Sequence, residues 1–354
     1  MGMLLKTKNG RLLGTGYPPY LIAEIGTNHN QDFYRAKALV VAAAESGFDC
    51  VKFQTYEPDE IVSPVVTAED YGMVGMYGNI LATEIFERHL KTPKAWFPEL
   101  YELCHQHGVD CATTVHGEGG LEWAKKIGFD MIKIASMDHN NFPFLEKIVN
   151  QIDVPVLISF GMAVLDDIAL AVKTLSDHAP GLGILHCVSI YPPNPEELRL
   201  ANIDYFLKHF DVPVGFSDHA DDVLTSVAAY ALGAVIFEKH ITLDRKLKGP
   251  DHAFALEPDQ MVSYVNGIRA LASDLKSKAF INPVLKEQTV TSKYLKSVVA
   301  MHDLPSGTIL KTGDLTLVRP GTGIAPKFIQ SIIGKRLHNS VLRGVPLMWS
   351  DIDT

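Results

Sequence analysis

The stretch Val214–His240, VGFSDHADDVLTSVAAYALGAVIFEKH, holds the residue types best suited to chemistry in this chain. Two short apolar runs end in Ser217-Asp218-His219 and in Glu238-Lys239-His240, with a helix-length segment ending at Gly233 between them. One strand-helix-strand unit is about as long as the 21 positions from His219 to His240, so both imidazoles are expected at the same end of neighbouring parallel strands. Side chains two apart share a face of a strand, and Glu238 therefore points with His240. Two imidazoles with nearby carboxylates on rigid strand ends suit a divalent metal. An ordinary hydrogen-bonded histidine is the plainer alternative for either ring taken singly.

The elements that must position these residues begin at Tyr20. Eight apolar runs, YLIAEIG, DCVKFQT, DCATTV, DMIKIAS, VPVLISFG, LGILHCVS, VPVGFSDH and AVIFEKHI, alternate with helix-length segments such as FYRAKALVVAAAES. Eight such repeats over roughly 260 residues predict a TIM (β/α)8 barrel, an α/β fold whose chemistry sits at the C-terminal ends of the strands. Residues 3–16 carry Asn9-Gly10 between apolar runs and predict a hairpin on the bottom of the barrel. Between Gln54 and Trp96 the connection is far longer than the usual two to six residues or so, which predicts a covering or subunit-contact element over the catalytic face. A second long loop brings Gly249-Pro250-Asp251-His252 to the same mouth. The barrel is assigned residues 1–278, a polar linker 279–296, and a small β-rich domain 297–354, expected to dock on its own barrel or a partner's.

Collecting the polar residues at the strand ends gives Glu24, then Lys52 with Gln54, then Thr114 and His116, followed by Lys133, Ser136 and Asp138. Later strands add Ser159, Ser189, Tyr191 and Ser217. Two lysines inside an apolar barrel are costly unless they meet an anion, which predicts a phosphate or carboxylate ligand. A chain of 354 residues, 47% hydrophobic, can bury a large core, and a net charge of −9 argues against a nucleic-acid partner. No apolar run reaches membrane-spanning length and the N-terminus lacks a signal-peptide core, so a cytoplasmic location with no membrane partner is expected. Cys50, Cys104, Cys111 and Cys187 show no C-x-x-C spacing and read as buried thiols.

IAEIGTNHNQD, VKFQTY, HCVSIYP, VGFSDH, ALGAVIFEKHITLD, GPDH with LEPD, and VRPGTG together resemble the sialic acid synthase family, over essentially the whole chain. That family pairs a TIM barrel with a C-terminal antifreeze-like (SAF) domain and condenses phosphoenolpyruvate with an N-acylated mannosamine-type sugar. The resemblance implies a transferase that makes a sialic or related nonulosonic acid, with manganese or magnesium on His219 and His240. It implies that Lys52, Thr114, Lys133, Ser136, Ser159, Ser189, Tyr191 and Ser217 cradle phosphoenolpyruvate, with Glu238 in the same binding set. Glu24, Gln54 and Asp251 would contact the sugar, and Arg319 would reach its acyl group across a domain-swapped homodimer. Asp138 is the expected general base, with Glu24 in reserve. The chain departs from the family pattern at Thr113-Thr114-Val115-His116, Met137-Asp138, Ser159-Phe160 and Ser189. Two other readings stand beside it: a metal-dependent aldolase or hydrolase barrel, which shares the histidines but has no need of two lysines, and a non-catalytic sugar-phosphate-binding protein descended from a synthase, to which the changed motifs of strands three to five point.

Overall fold

The computed structural model describes residues 4–274 and 282–353. Eight parallel strands close into one barrel: β3 (Tyr20–Glu24), β4 (Cys50–Thr55), β5 (Asp110–Val115), β6 (Met131–Ile134), β7 (Val156–Phe160), β8 (Leu182–Cys187), β9 (Val214–Asp218) and β10 (Ile236–His240), with β10 pairing back onto β3. Each is followed by helical structure, so the architecture is the expected TIM barrel. Ahead of it, β1 (Leu5–Lys6) and β2 (Leu12–Leu13) pair antiparallel about the Asn9-Gly10 turn. Leu5 and Leu13 cluster with inward residues of the barrel, among them Ile22, Leu157, Leu185 and Ile236, so the hairpin plugs the N-terminal end.

The alternation of strand side chains explains where the site lies. Along the inward face, apolar residues give way to polar ones toward the C-terminal end: Ile22 to Glu24, Cys50 to Lys52, Ala112 to Thr114, Met131 to Lys133, Leu157 to Ser159, and Ile236 to Glu238 and His240. The lower layers form an apolar core, and the top layer is a polar floor. On β9 the lower position is Gly215, where a Cβ would collide with Ile236 O and Leu185.

The outward face holds a second polar cluster. Lys239 and Asp218, both fully buried, lie 3.2 Å apart. Lys239 also donates to Ala220 O, while Asp218 accepts from Ser226, whose hydroxyl receives Tyr264 OH. Asp218→Ala would strand a buried ammonium and is expected to destabilise the protein by about 3–5 kcal/mol in urea unfolding, with the cavity residues untouched.

The chain divides into two compact units, Met1–Ser277 and Lys278–Thr354. The boundary expected at 278–279 and the first residues of the assigned linker lie outside the described residues. The described part of that linker holds two helical turns, Leu285–Gln288 and Thr291–Tyr294, where a plain polar connector was expected. The second unit pairs β11 (Ser297–Ala300) with β12 (Leu315–Val318) antiparallel and has its own core, including Val298, Leu310, Ile332 and Leu347. Among the described residues no helix is long and apolar enough to cross a membrane. The four cysteines are buried and unbridged.

Candidate active site

Register places the polar floor. Lys52 pairs with Glu24, Gln54 with Thr114, Thr114 with Lys133, and Glu238 with Ser217, on neighbouring strands. These side chains line one cavity of about 350 Å3, within the range of small-molecule sites. Ser136, Ser159, Tyr191 and Asp251 line it too, as do His219 and His240. Its roof comes from the long connection after β4, through Ile61, Tyr71, Met73, Phe86 and Leu90. That connection thus covers the C-terminal mouth, with a small apolar cluster of Ala68, Ile85 and Leu90 of its own.

The two lysines are not bare. Lys133 Nζ donates to both Glu238 oxygens, at 3.0 and 2.9 Å, and Lys52 Nζ lies 3.7 Å from the same carboxylate. Lys52 is also 2.7 Å from Glu24 Oε2 and donates to Thr114 Oγ1 at 2.6 Å. The contact with Glu24 is an ion pair by distance, since Oε2 has no aligned donor. Burial works to raise the Glu238 carboxyl, but the two ammoniums outweigh it and hold that group well below the usual carboxylate range. Burial pushes Glu24 up to about 7 against the pull of Lys52, with Glu238 adding to the rise. The floor thus sets the two lysines against Glu238, which they hold ionised, and Glu24, whose proton affinity burial raises. Two lysines and several hydroxyl donors on one floor suit an anionic ligand.

The two histidines stand side by side, with ring centroids 5.6 Å apart. His219 Nδ1 donates to Val188 O at 2.9 Å, which leaves its Nε2 as the lone-pair nitrogen. His240 Nδ1 is buried without a hydrogen-bond partner, 3.8 Å from Asp251. Burial pushes His219 down to about 4 and His240 well below its ordinary value, the neighbouring ring adding to the second shift. Both rings are thus neutral and offer nitrogen lone pairs, as a divalent ion requires. Among the described residues no group of three His, Cys, Asp or Glu side chains is placed to hold an ion. The pair fits an open site that takes its other ligands from water and substrate, and does not fit a closed structural one.

Around the mouth, the loop after β3 and the loop after β10 are tied together. Asn28 donates to Ile241 O, Thr27 Oγ1 donates to Asp251 at 3.0 Å, and Asn30 accepts from His252 Nε2 at 3.1 Å. His29 accepts Gln31 N–H on Nδ1 and faces Thr92 through Nε2. Burial pushes His29 down to about 3 and His252 to about 4. A native pKa below the unfolded value near 6.5 stabilises fully above that value and is lost as pH falls through the native pKa. The thermal midpoint is therefore expected to drop between pH 6.5 and about 3, and His29→Asn, which keeps an acceptor for Gln31 N–H, should flatten that acid limb.

Two expected site residues lie elsewhere. Ser189 lines a neighbouring cleft of about 690 Å3 and meets the cavity's lining at Ser136, 2.7 Å away, and at Cys187 Sγ, 3.9 Å away. Asp138 turns its carboxylate onto His116 Nδ1 at 2.8 Å and is not among the cavity-lining residues. Arg319, expected to act in a partner's site, packs within its own C-terminal unit on the Tyr294 ring, 5.3 Å from its centroid. Conversely, His116 lines the cavity although no role was assigned to it. Its spacing of two from Thr114, on the same strand face, was the available signal.

The model of the NeuB family matches residues 39–279, and that of the SAF domain matches 296–353. The chain is 33% identical to N,N'-diacetyllegionaminic acid synthase of Legionella pneumophila, covering 100% of both chains. It is also 33% identical to N-acetylneuraminate-9-phosphate synthase of Homo sapiens, covering 100% of this chain and 98% of that one. Among solved structures it is similar to an N-acetylneuraminic acid synthetase from Leptospira borgpetersenii, with a TM-score of 0.70, 28% identity, and coverage of 82% of this chain and 95% of that one.

Proposed function

Because the chain belongs to the NeuB family and carries a SAF domain, we propose that it condenses phosphoenolpyruvate with an N-acylmannosamine-type sugar and water, giving a nonulosonic acid and phosphate. The observation that carries this reading is the convergence of Lys52, Lys133, His219 and His240 on one cavity at the C-terminal mouth of one barrel.

Phosphoenolpyruvate brings a phosphate and a carboxylate, and charge-assisted hydrogen bonds from the two ammoniums match both. Thr114, Ser136 and Ser159 add hydroxyls; Ser159 Oγ is buried with no partner in the described residues, as a donor awaiting a ligand acceptor would be. His219 and His240 would hold a divalent manganese or magnesium ion, which supplies Lewis acidity toward the aldehyde carbonyl. Carbon three of the enol attacks the aldehyde carbon, water adds at carbon two, and phosphate leaves by C–O cleavage. Glu24, Gln54, which donates to it at 2.9 Å, and Asp251 would contact the sugar.

Phosphate release from phosphoenolpyruvate with manganese and a panel of acylated and deoxy aminosugars tests the reading. Release that depends on one sugar supports it; no release with any sugar, despite bound phosphoenolpyruvate, defeats it. The homodimer and the reach of Arg319 to a partner's sugar belong to the same proposal. Sedimentation of the full chain checks the first, and a rise in sugar KM for Arg319→Ala checks the second.

A further inference from the structure

One buried pair at the cavity has no role in the chemistry above. His116 directly follows β5, two positions after Thr114, and its ring is 5% exposed and lines the cavity. Its Nδ1 lies 2.8 Å from Asp138 Oδ2. An ionised carboxylate only accepts, so Nδ1 carries the proton and Nε2 the lone pair. That Nε2 is buried with no hydrogen-bond partner among the described residues. A buried acceptor left unpaired in a native fold calls for an explanation, and a donor brought by a ligand supplies one.

The other carboxylates of the cavity are engaged. Lys133 and Ser217 hold Glu238, Lys52 and Gln54 hold Glu24, and Thr27 donates to Asp251. Of the cavity's other buried basic atoms without an aligned donor among the described residues, Glu24 Oε2 sits 2.7 Å from the Lys52 ammonium and His240 Nδ1 belongs to the imidazole pair read as metal ligands, whereas His116 Nε2 faces no such partner. The geometry points to His116 Nε2 as the group that takes a proton from the attacking water, with Asp138 as a positioning residue that sets the tautomer and stabilises the imidazolium.

This deepens the synthase reading and rests on it. The water oxygen gives an electron pair to carbon two, and one of its protons passes to Nε2. The second proton goes to the new sugar alkoxide as the carbon-two hydroxyl becomes a ketone. The bond from carbon two to the phosphate oxygen breaks, its electron pair leaves on phosphate, and Nε2 returns its proton to that phosphate. Both protons of the water are placed, and the imidazole ends neutral.

The test compares full-length wild type with His116→Gln and Asp138→Asn in phosphate release at saturating manganese. General-base loss lowers kcat by about 10²–10⁴-fold, with KM for phosphoenolpyruvate held within a few-fold. Asp138→Asn should fall by a similar factor although it keeps a side chain of the same shape, because an amide N–H aimed at Nδ1 moves the imidazole proton onto Nε2. Asp138→Glu should recover part of kcat, which a packing role would not require. A His116→Gln kcat within about fivefold of wild type, or a loss seen only in KM, overturns the inference while leaving the synthase reading intact. A wild type inert with every sugar overturns the synthase reading and the inference with it. Should His116→Gln fail to fold, the kcat of Asp138→Asn decides.

Discussion

Lys133→Met is expected to lose both stability and turnover, and the two losses should separate in a second variant. In the native protein Lys133 makes two hydrogen bonds to Glu238 at the centre of the floor, and both side chains are almost fully buried. Removing the ammonium leaves a carboxylate with Lys52 at 3.7 Å as its nearest lysine and the Ser217 hydroxyl as its hydrogen-bond donor. A buried charge deprived of its partner typically costs about 3–5 kcal/mol, which urea unfolding would read as a large fall in midpoint. Turnover suffers for a different reason. The substrate's anionic groups lose one ammonium and compete with Glu238 for the other, so kcat/KM should fall by about 10³-fold or more. In Lys133→Met with Glu238→Gln the stranded charge is gone, and most of the stability should return. Activity should not. Recovery of activity in the double variant would show that Lys133 serves only to neutralise Glu238.

The second large effect concerns the neutral imidazoles. His219→Ala and His240→Ala should each abolish detectable manganese binding, measured by electron paramagnetic resonance of the free ion. Each should also lower kcat/KM by about 10³-fold, several kcal/mol of lost charge stabilisation. The fold should tolerate both changes, because the rings line a cavity and do not fill a core. Unchanged manganese affinity in either variant, or undiminished turnover after thorough chelation, would remove the metal role from these residues.

Much of this architecture could be read before any coordinates. The eight βα repeats specify the barrel because period-two apolar runs and helix-length amphipathic segments each have one way to bury their faces. Strand-end lysines, hydroxyls and histidines were legible because parity alone decides which side chains share the interior. Gln54 with Lys52, and Glu238 with His240, follow from that rule. The plug at the bottom was visible in Asn9-Gly10, whose turn chemistry is local.

What stayed hidden was pairing between elements far apart in the chain. That Lys133 meets Glu238, 105 positions away, depends on how the barrel closes, and a lysine read alone cannot show whether it waits for a ligand or is already neutralised. Asp138 is a plausible base by residue type, yet a short turn, Ser136–Asp138, carries it toward His116 and away from the cavity-lining set. Ser189 belongs to the right strand end but opens onto the neighbouring cleft. The sequence by itself determined the barrel, the end on which the chemistry sits and the residue types gathered there, because those follow from periodicity along the chain. Which carboxylate neutralises which ammonium, and which imidazole keeps a free nitrogen, only the tertiary structure decided. Those are contacts of a few ångströms between strands and loops, and no local pattern encodes them.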